Sequence, residues 1–361
     1  MYFSDFRCDI CGCSEGKKID FSFFFFPTVS HWPGLHEYDN FICKTCGVVF
    51  VYPQMTDEKL IDFYNTIYRE SPYAFHIENK LIDTPIKIPG SGVSLQRFKT
   101  FYKTLTKNAK KNQELIPEED DVFIDYGAYQ GIFLHGVSSA WGCKCIAYDY
   151  NEKGIEFAKK HFGFTESVIA NDIYKDVFGK RAKYISLIHV FEHLRYPHDF
   201  LRHIKDNVIE ENGFLYIEVP NIYAYNLGEP SHFYSYSKNT LSKCLRLNGF
   251  HILDIYTTGY PPPHTPWLGH SELASIICLC KPAVDNQLVK IPKCDADVIY
   301  KGIKKSWRRL SRIAVQKQLR IAITEICRLL YYSAIVIFER ISDRFSRNFE
   351  RVIRQLIKKP K

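Results

Sequence analysis

The chain has 361 residues, 46% hydrophobic and 24% charged, which is typical of a soluble globular protein with one large core and room for small modules. Its net charge of +8 is uneven, because residues 301–361 carry 17 Lys and Arg against 4 Asp and Glu and the preceding part is mildly acidic. The first residues lack the pattern of a signal peptide, and twelve cysteines in such a chain favour thiols and metal ligands over disulfides, with the cytoplasm as the expected compartment.

Two C-x-x-C pairs near the N-terminus have the spacing of metal ligands. Four thiolates supply the tetrahedral shell that structural zinc prefers. We therefore expect a structural zinc ribbon over residues 1–55, with the ligands Cys8, Cys11, Cys43 and Cys46. Cys13, His31 and His36 remain alternative ligands. A redox role for the pairs is a further alternative, although neither pair has the βαβ context of a redox motif.

A strand and a capped helix follow the second cysteine pair. Val48–Val51 has strand composition, Pro53 ends it, and Thr56 with two acidic residues begins a helix. The rest of residues 56–118 is polar and contains proline and glycine breakers, apart from Leu95–Leu105, where apolar residues recur at helical spacing. We expect this region to be a helical linker.

The stretch VFIDYGAYQG at residues 122–131 predicts a strand, a tight turn and the start of a helix. The strand ends at Asp125, and Gly127 and Gly131 frame a turn whose backbone a ligand can approach closely. The next predicted strand ends at Asp149, about twenty residues further on, where an acid can accept hydrogen bonds from a ribose diol. Tyr129 stands where a dinucleotide enzyme has the glycine that admits a pyrophosphate. The pattern D-x-G-x-x-x-G therefore favours S-adenosylmethionine (SAM), which has no phosphate, with Asp125 and the turn amides facing its methionyl group; an ordinary turn with an exposed acid is the alternative.

Five later segments predict the remaining strands of the sheet. They are Glu166–Ala170, Tyr184–Ile188, Gly213–Val219, His251–Tyr256 and Ala274–Cys280. Tyr184–Ile188, the fourth predicted strand counted from Val122, runs directly into His189, Glu192 and His193. This is the edge at which parallel α/β sheets bind ligands. His232 follows the fifth strand.

The order of these motifs resembles the zinc-ribbon class I SAM-dependent methyltransferases. The resemblance is carried by C-x-x-C-G before an apolar strand, an acid-capped helix ending in Tyr64 and Tyr68, the D-x-G-x-x-x-G turn, and a Glu-His pair after the fourth strand. This group includes sugar C-methyltransferases and enzymes of surface-polysaccharide biosynthesis. The resemblance implies a Rossmann-like sheet of seven strands in residues 119–283, with residues 56–118 forming part of a lid over the cofactor.

The resemblance also implies roles for individual residues. The expected SAM-binding residues are Asp125, Gly127, Tyr129, Gly131, Asp149, Asp172 and His189. Asp172 would meet the adenine amino group, with a solvated loop acid as the alternative. His189 would line the cofactor pocket, and Glu192 with His193 would face the acceptor.

Methyl transfer from SAM is an in-line displacement in which the protein aligns the nucleophile and, where needed, removes its proton. His232 is the candidate general base, because the sugar C-methyltransferases have a base histidine at this place; a packing residue at the start of a helix is the alternative. Those enzymes have Glu before that histidine where this chain has Ser231, and they end in a second large α/β domain that we do not expect here. O-methylation of a sugar or sugar nucleotide is therefore at least as well supported as C-methylation. A catalytically idle SAM- or nucleotide-binding scaffold, and a methyltransferase acting on RNA or protein, are the alternatives.

Residues 284–361 predict a basic amphipathic helical tail. Its apolar run is interrupted by Arg328 and Glu339, which leaves it short of the roughly 20 apolar residues that a bilayer span needs. Its charge predicts a peripheral contact of residues 301–361 with anionic lipid on the inner membrane face. A helical hairpin packed on the body or on another subunit is an alternative. Nucleic acid is a further one, which the acidic body disfavours.

Overall fold

A computed structural model of the chain describes residues 1–19, 37–62, 91–224, 230–258, 274–283, 294–306 and 308. The chain divides into two compact units, Met1–Trp307 and Arg308–Lys361, and almost all of the second unit lies outside the described residues. The predictions for the tail, for His31 and His36, and for the tyrosines at the end of the capped helix also fall outside the described residues. Within the described part of the chain, no helix is long and apolar enough to cross a membrane.

The main sheet of the described residues has seven strands. They are β4 (Val122–Tyr126), β5 (Lys144–Asp149), β6 (Val168–Ile169), β7 (Ala182–Ile188), β8 (Ile209–Pro220), β10 (Phe250–Thr258) and β11 (Ser275–Pro282). Their order across the sheet is β10-β11-β8-β7-β4-β5-β6. In the run β8-β7-β4-β5-β6, each strand is parallel to its neighbours. Strand β11 pairs antiparallel with both β8 and β10. This mixed sheet confirms the predicted α/β class, and every predicted strand of the series overlaps an observed one.

Helices connect the strands and cover the sheet. They are α1 (Asp57–Asp62), α2 (Ser91–Ala109), α3 (Ile132–Trp141), α4 (Glu152–Phe162), α5 (Pro197–His203), α6 (Lys238–Leu247) and α7 (residues 296–306). Side chains that cap the first turn fix where two of these helices begin. The side chain of Asn151 accepts a hydrogen bond from the Gly154 amide at the start of α4, and Ser237 and Thr240 form a capping box at the start of α6.

The strands of the main sheet divide their side chains between two hydrophobic cores. Because successive side chains of a strand point to opposite faces, Phe123 and Tyr184 lie on one face and Ile124 and Ile185 on the other. The first face is covered by α2, whose Phe101 is buried among these rings. This part of α2 therefore belongs to the core, and the predicted role of residues 56–118 as a lid stays a prediction.

A second, smaller sheet lies near the N-terminus and takes one strand from the main domain. Its strands are β1 (Gly16–Lys18), β2 (Asp39–Cys43), β3 (Val49–Tyr52) and β9 (Tyr234–Ser235), all antiparallel neighbours. We call these four strands the N-terminal sheet. The amide of Val51 also donates to the Phe233 carbonyl at 3.1 Å. The segment that follows β8 is thus held in part by residues close to the cysteine pairs. Neither β1 nor β9 was predicted from the sequence.

Candidate active site

The turn after β4 is shaped by its own backbone hydrogen bonds. Gly127 and Gly131 both have φ of +71°, in the left-handed region that glycine adopts without steric cost. The Gly127 amide donates to the Tyr148 carbonyl at 2.8 Å, which ties the turn to the end of β5. A Cβ atom on Gly127 would stand 2.3 Å from Cγ2 of Val190, so the turn has no room for a side chain there. Tyr129, between the two glycines, also has a positive φ, of +48°.

Four polar side chains lie on one face of the sheet where the strands end. Asp125, Asp149, Ser186 and Glu218 each follow an apolar residue of the core that α2 covers, two positions earlier in the same strand. A shift of two residues keeps a side chain on the same face, so the four share one side of the sheet. Asp125 and Asp149 therefore face the same region, as a single ligand site requires.

Asp125 is a buried carboxyl with an altered acidity. Ser186 Oγ donates to its Oδ1 at 2.5 Å, and only 3% of the residue is exposed. Burial raises the pKa of Asp125 to about 7, and the charge of Asp149 adds to the rise, while the Ser186 hydrogen bond and Arg97 of α2 oppose it. This carboxyl changes its charge near neutral pH.

Asp149 holds the turn and remains close to Asp125. Its Oδ2 accepts from the Tyr129 amide and its Oδ1 from the Asn151 amide, both at 2.8 Å. Burial raises its pKa, and these two amides oppose the rise. Each carboxylate oxygen has two lone pairs, so the two bonds leave capacity for the hydroxyls of a ribose.

The carboxylate of Asp172 is used within its own turn. It accepts from the Tyr174 amide at 3.0 Å and pairs with the Lys175 ammonium at 2.9 Å, which lowers its pKa. The structure shows these local contacts, and the predicted contact with adenine stays a prediction.

His189 joins two buried glutamates at the ends of β7 and β8. Its Nδ1 lies 3.2 Å from Glu192 Oε1 and its Nε2 lies 3.4 Å from Glu218 Oε1. Burial and Arg97 would lower the pKa of His189, but the two glutamates raise it above its usual value. Burial would raise the pKa of Glu192, yet the His189 contact lowers it to about 2. Glu192 is therefore ionised, and its carboxylate lies beside the His189 ring.

A second group of side chains, the acceptor cluster, consists of Glu192, His193 and His232. One possible ligand atom from each of the three lies within 4.8 Å of the others. The two imidazole rings meet edge to face with their centroids 4.6 Å apart, and His193 Nδ1 donates to the Ser231 carbonyl at 3.0 Å. The structure thus brings together the three residues for which the sequence predicted catalytic roles, although they come from two separate segments.

The four predicted zinc ligands also come together. Their sulfur atoms lie within 4.8 Å of one another, with 3.7 Å between Cys8 and Cys46 and 3.5 Å between Cys11 and Cys43. A zinc–sulfur bond of about 2.3 Å places the sulfurs of a tetrahedral site about 3.8 Å apart, so the four thiols fit a zinc ion. Cys13 instead contacts the backbone of Glu15. Zinc binding itself stays a proposal.

Residues 96–255 match the family described as a methyltransferase domain. Over residues 96–255 the chain is therefore similar to a methyltransferase domain. A search of curated proteins returns no match.

Solved structures that resemble the methyltransferase domain come from several organisms. The 1,6-didemethyltoxoflavin-N1-methyltransferase of Burkholderia thailandensis is 11% identical, with a TM-score of 0.45, over 65% of this chain and 96% of that one. The magnesium protoporphyrin IX methyltransferase of Synechocystis, solved with SAM, is 14% identical, with a TM-score of 0.41, over 64% of this chain and 99% of that one. A SAM-dependent methyltransferase of Clostridium acetobutylicum is 12% identical, with a TM-score of 0.39, over 63% and 98%.

The residues of the methyltransferase domain fit SAM at the turn after β4. Asp125 and Asp149 offer carboxylates on the same face of the sheet, next to the glycine turn after β4. The roles of Gly127, Tyr129, Gly131 and the two acids toward SAM remain predictions in their detail.

Three residues of the candidate site were not predicted from the sequence. Ser186 and Glu218 interrupt the apolar runs in the second halves of β7 and β8, and that interruption is a signal that could have identified them. Arg97 lies on α2 and influences Asp125, His189 and Glu218 through its charge. Nothing in its local sequence distinguishes Arg97 from the other basic residues of that helix.

Proposed function

We propose that the protein transfers the methyl group of SAM to a hydroxyl of a sugar or sugar nucleotide. The observation that carries this proposal is the position of the acceptor cluster. Glu192 belongs to that cluster and also contacts His189, which in turn contacts Glu218 at the end of β8, so the cluster adjoins the polar ends of the strands. A hydroxyl held there would lie between a proton-accepting group and the proposed cofactor site.

The reaction needs alignment and the removal of one proton. When bound, SAM supplies a methyl group on a sulfonium that is a good leaving group. Asp125 and the amides of the turn would hold its methionyl part, and Asp149 its ribose. His232 would accept the proton of the acceptor hydroxyl as that oxygen attacks the methyl carbon, because a neutral imidazole is a suitable base near neutral pH. The products are a methyl ether, S-adenosylhomocysteine and one proton.

Two measurements test this function. Calorimetry with SAM measures cofactor binding, and incubation with SAM carrying a labelled methyl group measures transfer to a set of nucleotide sugars. We expect binding in the micromolar range and label in at least one sugar, with NMR of the product distinguishing an O-methyl from a C-methyl group. Absence of SAM binding at millimolar concentration would contradict the proposal.

His232→Ala tests the proposed base in the same assays. We expect at least about a hundredfold loss of turnover, which is typical when a general base is removed, with SAM affinity unchanged. A variant with full turnover would remove His232 from the mechanism.

A peripheral location at the inner membrane face is part of the proposal. Residues 301–361 hold 17 basic against 4 acidic side chains, and each Lys or Arg near an anionic surface contributes about 1 kcal/mol. We expect the full-length protein to float with vesicles of phosphatidylcholine and phosphatidylglycerol at low salt, and to remain in solution with phosphatidylcholine alone. Flotation that does not depend on anionic lipid or salt would contradict the electrostatic contact.

A further inference from the structure

We propose that the acceptor cluster, Glu192, His193 and His232, binds a divalent metal ion. The inference rests on the proposed function, since it specifies how the acceptor hydroxyl is activated. The site is separate from the cysteine cluster and has a different donor chemistry, because it offers two imidazoles and one carboxylate where the cysteines offer four thiolates.

The spacing of the three side chains fits an ion. One donor atom from each residue lies within 4.8 Å of the other two. An ion that binds each donor at about 2.1 Å holds neighbouring donors about 3 to 3.5 Å apart, so small rotations of the imidazoles would complete the contact. Two histidines and a carboxylate are a donor set of catalytic zinc and of non-haem iron(II), and both kinds of site keep positions open for other ligands.

His193 is oriented as a metal-binding histidine usually is. Its Nδ1 donates to the carbonyl of Ser231, a fully buried residue, at 3.0 Å. In a neutral imidazole this bond places the proton on Nδ1 and leaves the lone pair on Nε2. Histidine ligands of metal ions typically donate their second nitrogen to a carbonyl or carboxylate in this way. Ser231 directly precedes His232, so one segment both orients the first histidine and supplies the second.

Glu192 supplies the negative charge of the site. The residue is 1% exposed, and both of its carboxylate oxygens are buried without a well-aligned hydrogen bond to any described residue. Its Oε1 lies near His189, at 3.2 Å from Nδ1, which leaves Oε2 for another partner. A buried carboxylate is costly unless it is paired or coordinates a metal, so a cation beside His193 and His232 would stabilise it.

A bound ion would change how the acceptor hydroxyl loses its proton. His232 would act as a ligand, and the cation would lower the pKa of the bound hydroxyl as it lowers that of bound water. The proton then leaves to solvent, the oxygen bonds to the methyl carbon, and the electron pair of the carbon–sulfur bond stays on sulfur. Open positions on the ion fit two neighbouring hydroxyls, so the inferred acceptor is a sugar with a vicinal diol. His232 as a free base is the form of the site without the ion.

Manganese titration followed by electron paramagnetic resonance tests the site. The probe is Mn²⁺ added to the full-length protein that carries one equivalent of zinc, because the four thiolates take the first zinc ion and Mn²⁺ prefers oxygen and imidazole ligands. We expect one equivalent to bind. His193→Ala and Glu192→Gln should each weaken that binding by at least about tenfold. His251→Ala, which changes an exposed histidine of β10, is the matched control and should leave it unchanged.

The outcomes separate this inference from the function on which it rests. Absence of Mn²⁺ binding at millimolar concentration, or unchanged binding by both variants, would overturn the metal site. Calorimetry with SAM on His193→Ala should give wild-type affinity, which shows that this variant folds. Mn²⁺ bound by the wild type without transfer to any sugar would leave the metal site standing and contradict the proposed acceptor. Mn²⁺-dependent transfer to a sugar with a vicinal diol, but not to its deoxy analogue, supports both.

Discussion

A carboxyl that changes its charge near neutral pH gives the cofactor site a measurable pH dependence. Burial raises the pKa of Asp125 to about 7, mainly because the charged form is poorly solvated beneath α2. The proposed partner of this carboxyl is the cationic methionyl group of SAM, and a cation favours the ionised form. SAM binding should therefore lower the pKa of Asp125 and release about half a proton at pH 7, where a group with this pKa is half protonated.

The sign of the effect follows from proton linkage. Below pH 7 the free protein holds a proton that SAM must displace, so SAM affinity should fall by up to about tenfold for each pH unit as the pH decreases. For the free protein the stability contribution of this raised pKa has the opposite trend, because it is present below pH 4 and is lost as the pH rises through 7. Calorimetry in buffers of different ionisation enthalpy counts the released protons. Asp125→Asn should abolish that release, and an unchanged proton count in this variant would contradict the assignment.

The bend at Gly127 can be tested against a glycine with the same backbone but different surroundings. Gly127 and Gly142 have φ of +71° and +73°, and an added Cβ would lie 2.3 Å from Val190 in the first case and 3.6 Å from Glu119 in the second. Both Ala substitutions should cost about 1 to 2 kcal/mol of stability from backbone strain. Only Gly127→Ala should also weaken SAM binding, by about tenfold or more, in calorimetry. Equal SAM affinity of the two variants would show that the bend does not contact the ligand.

At the scale of single elements, local sequence predicted the strands of the main sheet but not the pieces that depend on distant partners. β4 and β5 have apolar runs that end in an acid, and the glycines between them mark the turn, so their signals are local. β9 has two residues, and it exists because β3, almost two hundred residues earlier, pairs with it. A strand of two residues is too short to show the alternation of apolar and polar side chains that predicts a strand.

The residues of the candidate active site show the same limit of prediction from local sequence. Glu192 and His193 were identified from their position after a strand, and His232 from a family resemblance. Their proximity depends on how the segment after β8 folds back toward the end of β7, which spacing in the chain does not encode. The charge of Arg97 acts on the site across the contact between α2 and the sheet, so it could be found only in three dimensions.

The start of α6 has a cap whose contribution can be measured by itself. The Ser237 side chain accepts from the Thr240 amide, and the Thr240 side chain accepts from the Ser237 amide. Ser237→Ala removes one of these bonds and should lower the free energy of unfolding by about 1 kcal/mol in a denaturant titration. Ser242→Ala, in the interior of the same helix, is the matched control and should change it by a few tenths. A smaller loss at Ser237 than at Ser242 would contradict the capping role.

At the scale of the molecule, the N-terminal sheet and one face of the methyltransferase sheet share a single hydrophobic core. Phe41 and Phe50 of the N-terminal sheet belong to the same buried cluster as Ile185 and Phe233. Polar contacts reinforce this connection. The Asp9 carboxylate accepts from the His198 amide at 2.7 Å, and the Asp9 amide donates to the Tyr234 hydroxyl at 3.3 Å. The cysteine cluster therefore sits beside the segment that carries His232 rather than in a module that folds separately.

This connection predicts what loss of the proposed zinc ion would do. The proposed zinc ion would hold the two loops that carry the cysteines. Strand β3 begins just after the second cysteine pair, and it hydrogen-bonds to the backbone of Phe233 and pairs with Tyr234. Cys11→Ser, a change of one ligand at the partly exposed side of the cluster, should reduce zinc content and speed hydrogen exchange in β3 and β9. Exchange in β4 and β5 should change little, because those strands pair with each other and with β7.

Cys11→Ser should lose activity because the segment that carries His232 is less ordered, while the cofactor site should be unaffected. SAM affinity of Cys11→Ser should stay within about threefold of wild type, since the proposed SAM residues lie on the α2 side of the sheet, while the N-terminal sheet packs on the other. Turnover should fall with the loss of protection in β9, because effective positioning of a catalytic group depends on about an ångström. His193→Ala is the comparison variant, and it should lose turnover with β9 still protected. If Cys11→Ser accelerated hydrogen exchange by the same factor in β4 and in β9, the cysteine cluster would stabilise the whole domain. That result would refute a specific effect of the cluster on His232.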